Sequence, residues 1–154
     1  MTLLLGFVLG ICCGLRSIAP AAVLAWAAQL RWPQLGQTGF AFMAAPISAY
    51  ILTLGARVEL VFDKLPITPS RLTPGPLGAR VVLGGLCAAT LSAALQQSAV
   101  LGAVVGGLGG CAGTWVGYQV RRHLTTTRKA PDFLVALIED AIAIAAAVFV
   151  VSRV

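Results

Sequence analysis

The chain has 154 residues, of which 58% are hydrophobic and only 10% are charged, and its net charge is +6. A soluble domain carries about 25% charged residues, so this composition excludes an ordinary cytosolic enzyme and a disordered segment. Apolar runs recur as far as the C-terminus, which excludes a signal peptide as their only source. The sequence therefore predicts an all-α, polytopic membrane bundle of about five spans, forming a single domain over residues 1–154.

The first apolar stretch covers residues 3–30, which is longer than the roughly 20 residues that cross a bilayer. Arg16 lies near its middle, between Gly14 and Pro20. Glycine loosens a helix, and proline removes a backbone donor. We therefore expect either one long, kinked helix or two half-helices around a break near Gly14–Pro20.

Four further spans follow the first stretch in chain order, at residues 40–62, 77–95, 99–120 and 132–151. A proline-dense loop is predicted at 63–76, because prolines so close together disfavour a helix. Gln96-Gln97-Ser98 is the expected turn between the third and fourth spans, and residues 121–131 form a basic loop.

The basic residues predict the topology. Two, Arg31 and Arg153, fall on one side of a five-span bundle. Seven fall in loops on the other side: Lys64, Arg71, Arg80, Arg121, Arg122, Arg128 and Lys129. The positive-inside rule places the seven in the cytoplasm, which explains the net charge without nucleic acid. The N-terminus is then cytoplasmic and the C-terminus lies on the opposite side of the membrane, although a re-entrant first segment would reverse the position of one terminus relative to the other.

Glycines repeat at intervals that place them on common helix faces. The predicted helix-packing set is Gly6, Gly10, Gly14, Gly102, Gly106, Gly110, Gly113 and Gly117. Such faces let backbones approach closely in lipid, within the protomer or in a homodimer, and they also permit sliding between helices. The four cysteines lie in apolar stretches without metal-ligand spacing, so we expect small apolar fillers, no metal and no cofactor.

Charges inside the membrane mark a candidate substrate-binding site. Arg16, with Ser17 beside it, lies at the depth that Glu139 and Asp140 have in the last span. A charge near the bilayer centre costs roughly 2.5–3.5 kcal/mol on insertion scales, so it needs a partner, water or a ligand. Two adjacent acids in a dry site repel, and one of them would carry a proton at neutral pH. The alternative is a buried structural ion pair.

A second polar group is predicted near the cytoplasmic membrane edge, comprising Glu59, Asp63, Lys64, Arg71 and Arg80. It would gate a pathway or form an interfacial ion-pair network. The first and last pairs of spans each join a glycine-rich helix to a helix that carries an acid. With one span between them, the pairs would form an inverted repeat around a midplane site.

Six polar segments occur in a fixed order along most of the chain: Gly14-Leu15-Arg16-Ser17, Glu59, Asp63-Lys64-Leu65-Pro66, Pro69-Ser70-Arg71, Gly78-Ala79-Arg80 and Glu139-Asp140-Ala141-Ile142-Ala143. In these segments the sequence resembles a family of small bacterial membrane proteins that is catalogued as a domain of unknown function (DUF4126-like). The resemblance implies an inner-membrane protein and no particular activity.

Three functions fit these features. The first is a transporter or channel for a small anionic or zwitterionic solute, with Arg16 binding the anion and a carboxyl group carrying a coupling proton. The second is a non-catalytic scaffold or assembly factor that packs through its glycine faces. The third is a lipid-phosphate enzyme, using Lys64, Arg71 and Arg80 to hold phosphate. No nucleophile–base pair is evident, so we expect no catalytic residues and no enzyme.

Overall fold

The computed structural model describes residues 1–31, 33–62, 73–126 and 131–154, and every regular element in these ranges is helical. The α-helices are α1 Thr2–Leu15, α2 Ala19–Arg31, α3 Ala41–Ala44, α4 Pro46–Phe62, α5 Pro74–Ala94, α6 Ala99–Thr126 and α7 Asp132–Ser152. A short 3₁₀ helix, Pro33–Gln37, lies between α2 and α3. The all-helical prediction is confirmed for the described part of the chain.

Three helices in these ranges, α5, α6 and α7, are long and apolar enough to cross a membrane. At 1.5 Å per residue, the 21-residue helices α5 and α7 are about 32 Å long, which matches a hydrocarbon core of about 30 Å. The other long helices, α1, α2 and α4, have 14, 13 and 17 residues. The three apolar helices indicate a membrane protein, whereas the predicted count of about five spans is not confirmed.

The first apolar stretch is two half-helices, one of the two arrangements that its sequence predicts. Helix α1 ends at Leu15, and Arg16 has an extended backbone with φ −136° and ψ 121°. Helix α2 begins at Ala19. Pro20 stands in the first turn of α2, where its missing N–H costs no helical hydrogen bond. Residues 16–18 therefore interrupt the helix inside the apolar stretch.

Helix α1 packs against both α5 and α6. Gly6 faces Ala88, and Gly14 lies beside Arg80 at the other end of α1, so α1 and α5 are antiparallel. We call the end of the bundle with the 95–98 turn the turn end, and the end where α6 reaches Arg121 the basic end. Helix α1 starts at the turn end and points towards the basic end.

Helix α2 returns towards the turn end. Ile18 packs on Gly55 of α4, and the Trp26 indole N–H donates to Thr53 Oγ1 at 3.0 Å, so α2 and α4 are antiparallel. The hydrophobic core then joins residues from the turn-end halves of several helices: Leu9, Leu24, Ala28, Leu35, Leu91 and Val150. The broken segment is therefore a re-entrant hairpin whose apex is residues 16–18.

This re-entrant path places both termini at the turn end. Helix α6 runs to the basic end, and α7 returns from it, so Val150 and Val151 join the same core as Leu24. The five-span prediction instead separates the termini, because it counts residues 3–30 as one crossing. The difference arises from the extended backbone at Arg16, which lets the chain reverse direction.

Two predicted loops are shorter than expected where the structure describes them. Helix α5 begins at Pro74 and not at residue 77, because prolines are compatible with the first turn of a helix and Thr73 before it is extended. Helix α6 continues to Thr126 through the start of the predicted basic loop, whose arginines are good helix formers. The predicted turn after α5 is observed, with Gln96 at φ 56°.

The inverted repeat remains a prediction. In the first of the two proposed pairs, the glycine-bearing segment is broken at residues 16–18, whereas its counterpart α6 is one continuous helix of 28 residues.

Glycines let the main chains of α1, α5 and α6 touch. An added Cβ at Gly10 or Gly84 would collide with the carbonyl oxygen of Gly106, and one at Gly106 would meet the Gly84 oxygen and the Ala88 Cβ. Similar contacts occur at Gly14, Gly102, Gly110 and Gly113. Of the predicted helix-packing set, Gly6 is in looser contact with Ala88, and Gly117 is buried. Close approach of these backbones therefore requires residues without side chains.

We predict that Gly106→Ala destabilises the bundle by about 1–3 kcal/mol, the usual cost of overpacking. Gly107→Ala is a matched control one residue away, because its added Cβ would only reach ordinary contact with Val81 at 3.5 Å. Thermal unfolding in detergent measures both variants. Equal midpoints for the two variants would contradict the packing described here.

Candidate functional site

The break in the first segment leaves backbone amides at the start of α2 inside the bundle. The Glu59 carboxylate of α4 accepts both of them: Ser17 N–H donates to Oε1 at 2.9 Å, and Ile18 N–H donates to Oε2 at 3.0 Å. An acid at a helix N-terminus also interacts favourably with the helix dipole. Glu59, on another helix, therefore pairs the two amides that precede α2 and fixes the apex of the hairpin.

Arg16 projects from the apex to α7. Its side chain is fully buried, and its Nε donates to Oδ1 of Asp140, which is only 5% exposed. Both charges are removed from water, which costs several kcal/mol per ion unless each is paired. The ion pair thus compensates the burial of Arg16 and joins the apex to α7.

Arg80 and Thr114 bind the end of α1. Arg80, only 3% exposed, donates from Nε to Ser17 Oγ at 3.3 Å and from a terminal nitrogen to the Gly14 carbonyl at 3.4 Å. The Thr114 hydroxyl is within hydrogen-bond distance of the same carbonyl at 3.2 Å and of Gly110 O at 2.8 Å. Gly14 O is a carbonyl that the helix no longer pairs at its C-terminus, so these donors replace the missing helical bonds.

We define the polar cluster as Arg16, Ser17, Glu59, Arg80 and Asp140. It contains two positive and two negative side chains, supplied by the apex and by α4, α5 and α7. Arg80 follows Pro74 by six residues and Asp140 follows Asp132 by eight, so the cluster lies about 9–12 Å inside the basic end. It is therefore a charge-balanced site inside the bundle, and it is nearer to the basic end.

The sequence assigns these residues to two separate groups, whereas the structure brings them together. Glu59 and Arg80, expected at the membrane edge, lie at the same site as Arg16, Ser17 and Asp140, because the hairpin apex reaches their level. Asp63, Lys64 and Arg71, the rest of the predicted edge group, lie outside the described residues.

Glu139 is positioned differently from its neighbour Asp140. It is half-buried and lines a cavity between α6 and α7.

Thr114 is a member of the site that the sequence analysis does not predict. Its place four residues after Gly110, on the same face of a helix stretch without charges, is a signal that could have indicated it.

The chemistry available at the cluster is ionic. Within the described ranges, no three His, Cys, Asp or Glu side chains lie close enough to hold a metal ion. Two guanidinium groups can pair with an anion, and two carboxylates can take up protons. Arg80, one of the three residues of the lipid-phosphate hypothesis, is directed to the apex and is buried there.

Comparison with known proteins yields a family and no function. A family model described as "Domain of unknown function (DUF4126)" matches residues 3–152. No curated protein matches, and no solved structure matches.

We predict that Asp140→Asn destabilises the protein by about 3–5 kcal/mol, because it leaves the buried Arg16 charge without its counter-ion. Glu139→Gln is the matched control, since it removes the adjacent acid from a half-buried position. Unfolding of both variants in detergent measures the difference. A loss as large in Glu139→Gln as in Asp140→Asn would show that Asp140 has no special role.

We predict that Glu59→Gln costs about 1–3 kcal/mol, because the NH₂ group that replaces one carboxylate oxygen is a donor and cannot accept, so one of the two part-buried N–H groups loses its acceptor. Arg57→Gln, an exposed change on the same helix, controls for loss of a charge in α4. Hydrogen exchange of the Ser17 and Ile18 amides reports on the cap directly. Exchange that stays as slow as in the wild type would contradict the role given to Glu59.

Proposed function

Because the chain belongs to this family of unknown function, we propose its function from the site alone: a small membrane transporter or channel for a small anionic or zwitterionic solute. The observation that carries the proposal is an unwound segment inside the bundle, residues 16–18, which contains Arg16 and contacts a second arginine and two acids. In membranes, irregular backbone is tolerated only where protein buries it or where it lines a water-filled cavity. In many secondary transporters the substrate site is formed by broken helices, whose half-helix N-termini point at anionic groups of the substrate.

The charge balance of the cluster supports an anionic solute and proton coupling. Arg16 and Arg80 are compensated by Glu59 and Asp140, so an added anion would leave the site with excess negative charge in a medium of low dielectric constant. Protonation of one carboxyl group restores neutrality and releases a guanidinium group for the solute. The sequence suggests Glu139 or Asp140 as the carrier of this coupling proton, and we propose Glu59 as a further candidate.

We propose that the basic end faces the cytoplasm of a bacterial cell. Arg121, Arg122 and His123 lie there, while Arg153 lies at the turn end, and the positive-inside rule orients the inner-membrane bundle accordingly. With the re-entrant hairpin, both termini are then periplasmic. This proposal revises the cytoplasmic N-terminus that five spans would give. A homodimer remains a proposal from the sequence, because most of the predicted helix-packing glycines make their close contacts within the protomer.

A second candidate function is the non-catalytic scaffold or assembly factor. One observation favours it: Arg16 and Asp140 are in direct contact, and both are nearly inaccessible. An ion pair of this kind can be purely structural, and similar buried pairs can be replaced by apolar residues without loss of stability. The two functions therefore differ in what removal of the whole pair should do.

We predict that the wild-type protein in proteoliposomes takes up at least one of acetate, lactate, phosphate, glutamate and glycine betaine. Arg16→Gln should reduce that uptake by more than about tenfold, because the lost ion contact is worth roughly 1.5–3 kcal/mol. Arg57→Gln is the control for charge, since Arg57 is exposed and lies outside the cluster. Unchanged uptake in Arg16→Gln, or no uptake by the wild type, would contradict the transport proposal.

The double variant Arg16→Met with Asp140→Leu separates the two candidates. It replaces the buried pair by apolar side chains and leaves no unpaired charge, so folding should be kept. The transport proposal expects a folded protein without uptake. A folded double variant with wild-type uptake would assign the pair a structural role only.

A further inference from the structure

A narrow cavity opens between the basic-end halves of α6 and α7. It has a volume of about 230 Å³, and its walls expose only apolar surface. Val116, Val120 and Leu124 line it from α6, and Ile138 and Ile142 from α7. Leu15, next to Arg16 of the polar cluster, closes its inner end. The two helices therefore diverge here and leave an apolar slot beside the candidate site.

The slot faces the surroundings of the bundle. Val120 is 51% exposed and Ile138 is 60% exposed, so an occupant can enter sideways from the membrane. A second helix, which is about 10–12 Å across with its side chains, is too wide for a slot of this volume. A flexible hydrocarbon chain suits both the volume and the apolar walls.

The charges beside the slot indicate which lipid headgroup would bind there. Arg121 lines the slot, and Arg122 and His123 follow it on the same helix at the basic end. Glu139 borders the slot with its apolar atoms and carries one negative charge, so among the described residues around the slot the two arginines leave an excess of positive charge. Arginine can lay its apolar stem along the slot and reach the headgroup region with its guanidinium group. This arrangement is complementary to a phosphate with a net negative charge.

We propose that this slot binds one anionic phospholipid of the leaflet at the basic end. One acyl chain lies between α6 and α7 and reaches towards Leu15, while the headgroup phosphate binds Arg121 and Arg122. The lipid fills the space between two helices that otherwise pack loosely there. The proposal is independent of transport, because it requires neither a solute nor movement of the polar cluster.

Native mass spectrometry of the delipidated full chain tests the proposal with phosphatidylglycerol and phosphatidylcholine of equal chain length. We expect one phosphatidylglycerol per chain, bound about fivefold more tightly than phosphatidylcholine, since each basic residue near a membrane surface contributes a factor of this size. Arg121→Gln should remove most of that preference, whereas Arg57→Gln should keep it.

A bulky side chain tests the slot itself. Val120→Trp fills it and should lower phosphatidylglycerol binding by about tenfold or more, whereas Leu101→Trp, at an exposed site on the turn-end half of the same helix, should not. Ile138→Trp, on the opposite wall, replaces Val120→Trp if that variant does not give a monodisperse protein. Equal binding of the two lipids, or wild-type binding in both slot-filling variants, would overturn the proposal.

Discussion

The structure depends on one constraint: backbone groups that leave a helix inside a membrane must find partners within the protein. The hairpin apex at residues 16–18 breaks a helix about 9–12 Å inside the basic end. Glu59 takes the amides of Ser17 and Ile18, and Arg80 donates to the Gly14 carbonyl. Without such partners, each buried group would cost several kcal/mol. The positions of α4, α5 and α6 around the apex follow from this requirement.

The same partners bring charges into the apolar interior, and those charges need one another. Glu59 satisfies amides but adds a negative charge, and Arg80 satisfies a carbonyl but adds a positive one. Arg16 and Asp140 form a second pair that joins the apex to α7. The site is therefore neutral in total charge, although it consists of charged side chains. Such a site keeps its neutrality when an anion and a proton enter together, whereas either one alone would leave a net buried charge.

Much of this architecture could be predicted from the sequence. Composition and apolar runs predict a helical membrane protein, and Arg16 between Gly14 and Pro20 predicts a break. The reversal of the chain at that break could not be read from hydropathy, because a run of 28 apolar residues is compatible with one tilted crossing or with two half-helices. The direction of α2 depends on tertiary contacts, such as Trp26 with Thr53 and Ile18 with Gly55.

Sequence-based prediction has the same limit for the residues that form the site. Its costly residues could be identified one by one, since charges are scarce in this chain. Their grouping could not, because Glu59 and Arg80 lie near helix ends and reach Arg16 only through the hairpin. Thr114 was missed because a single hydroxyl in a glycine-rich helix is inexpensive and usually binds its own backbone, as it also does here. The sequence thus indicates most of the individual residues of the site. It does not indicate that they lie together, because that depends on the path of the hairpin.

The most direct test of this account is the sidedness of the two termini in oriented membranes, measured with reporter tags at Met1 and Val154. The hairpin path, in which α4 and α6 run to the basic end and α5 and α7 return from it, predicts both tags on the same side, opposite to a tag in the 121–131 region. Tags on opposite sides would show that residues 3–30 cross the membrane. That result would contradict the hairpin and the site built around its apex.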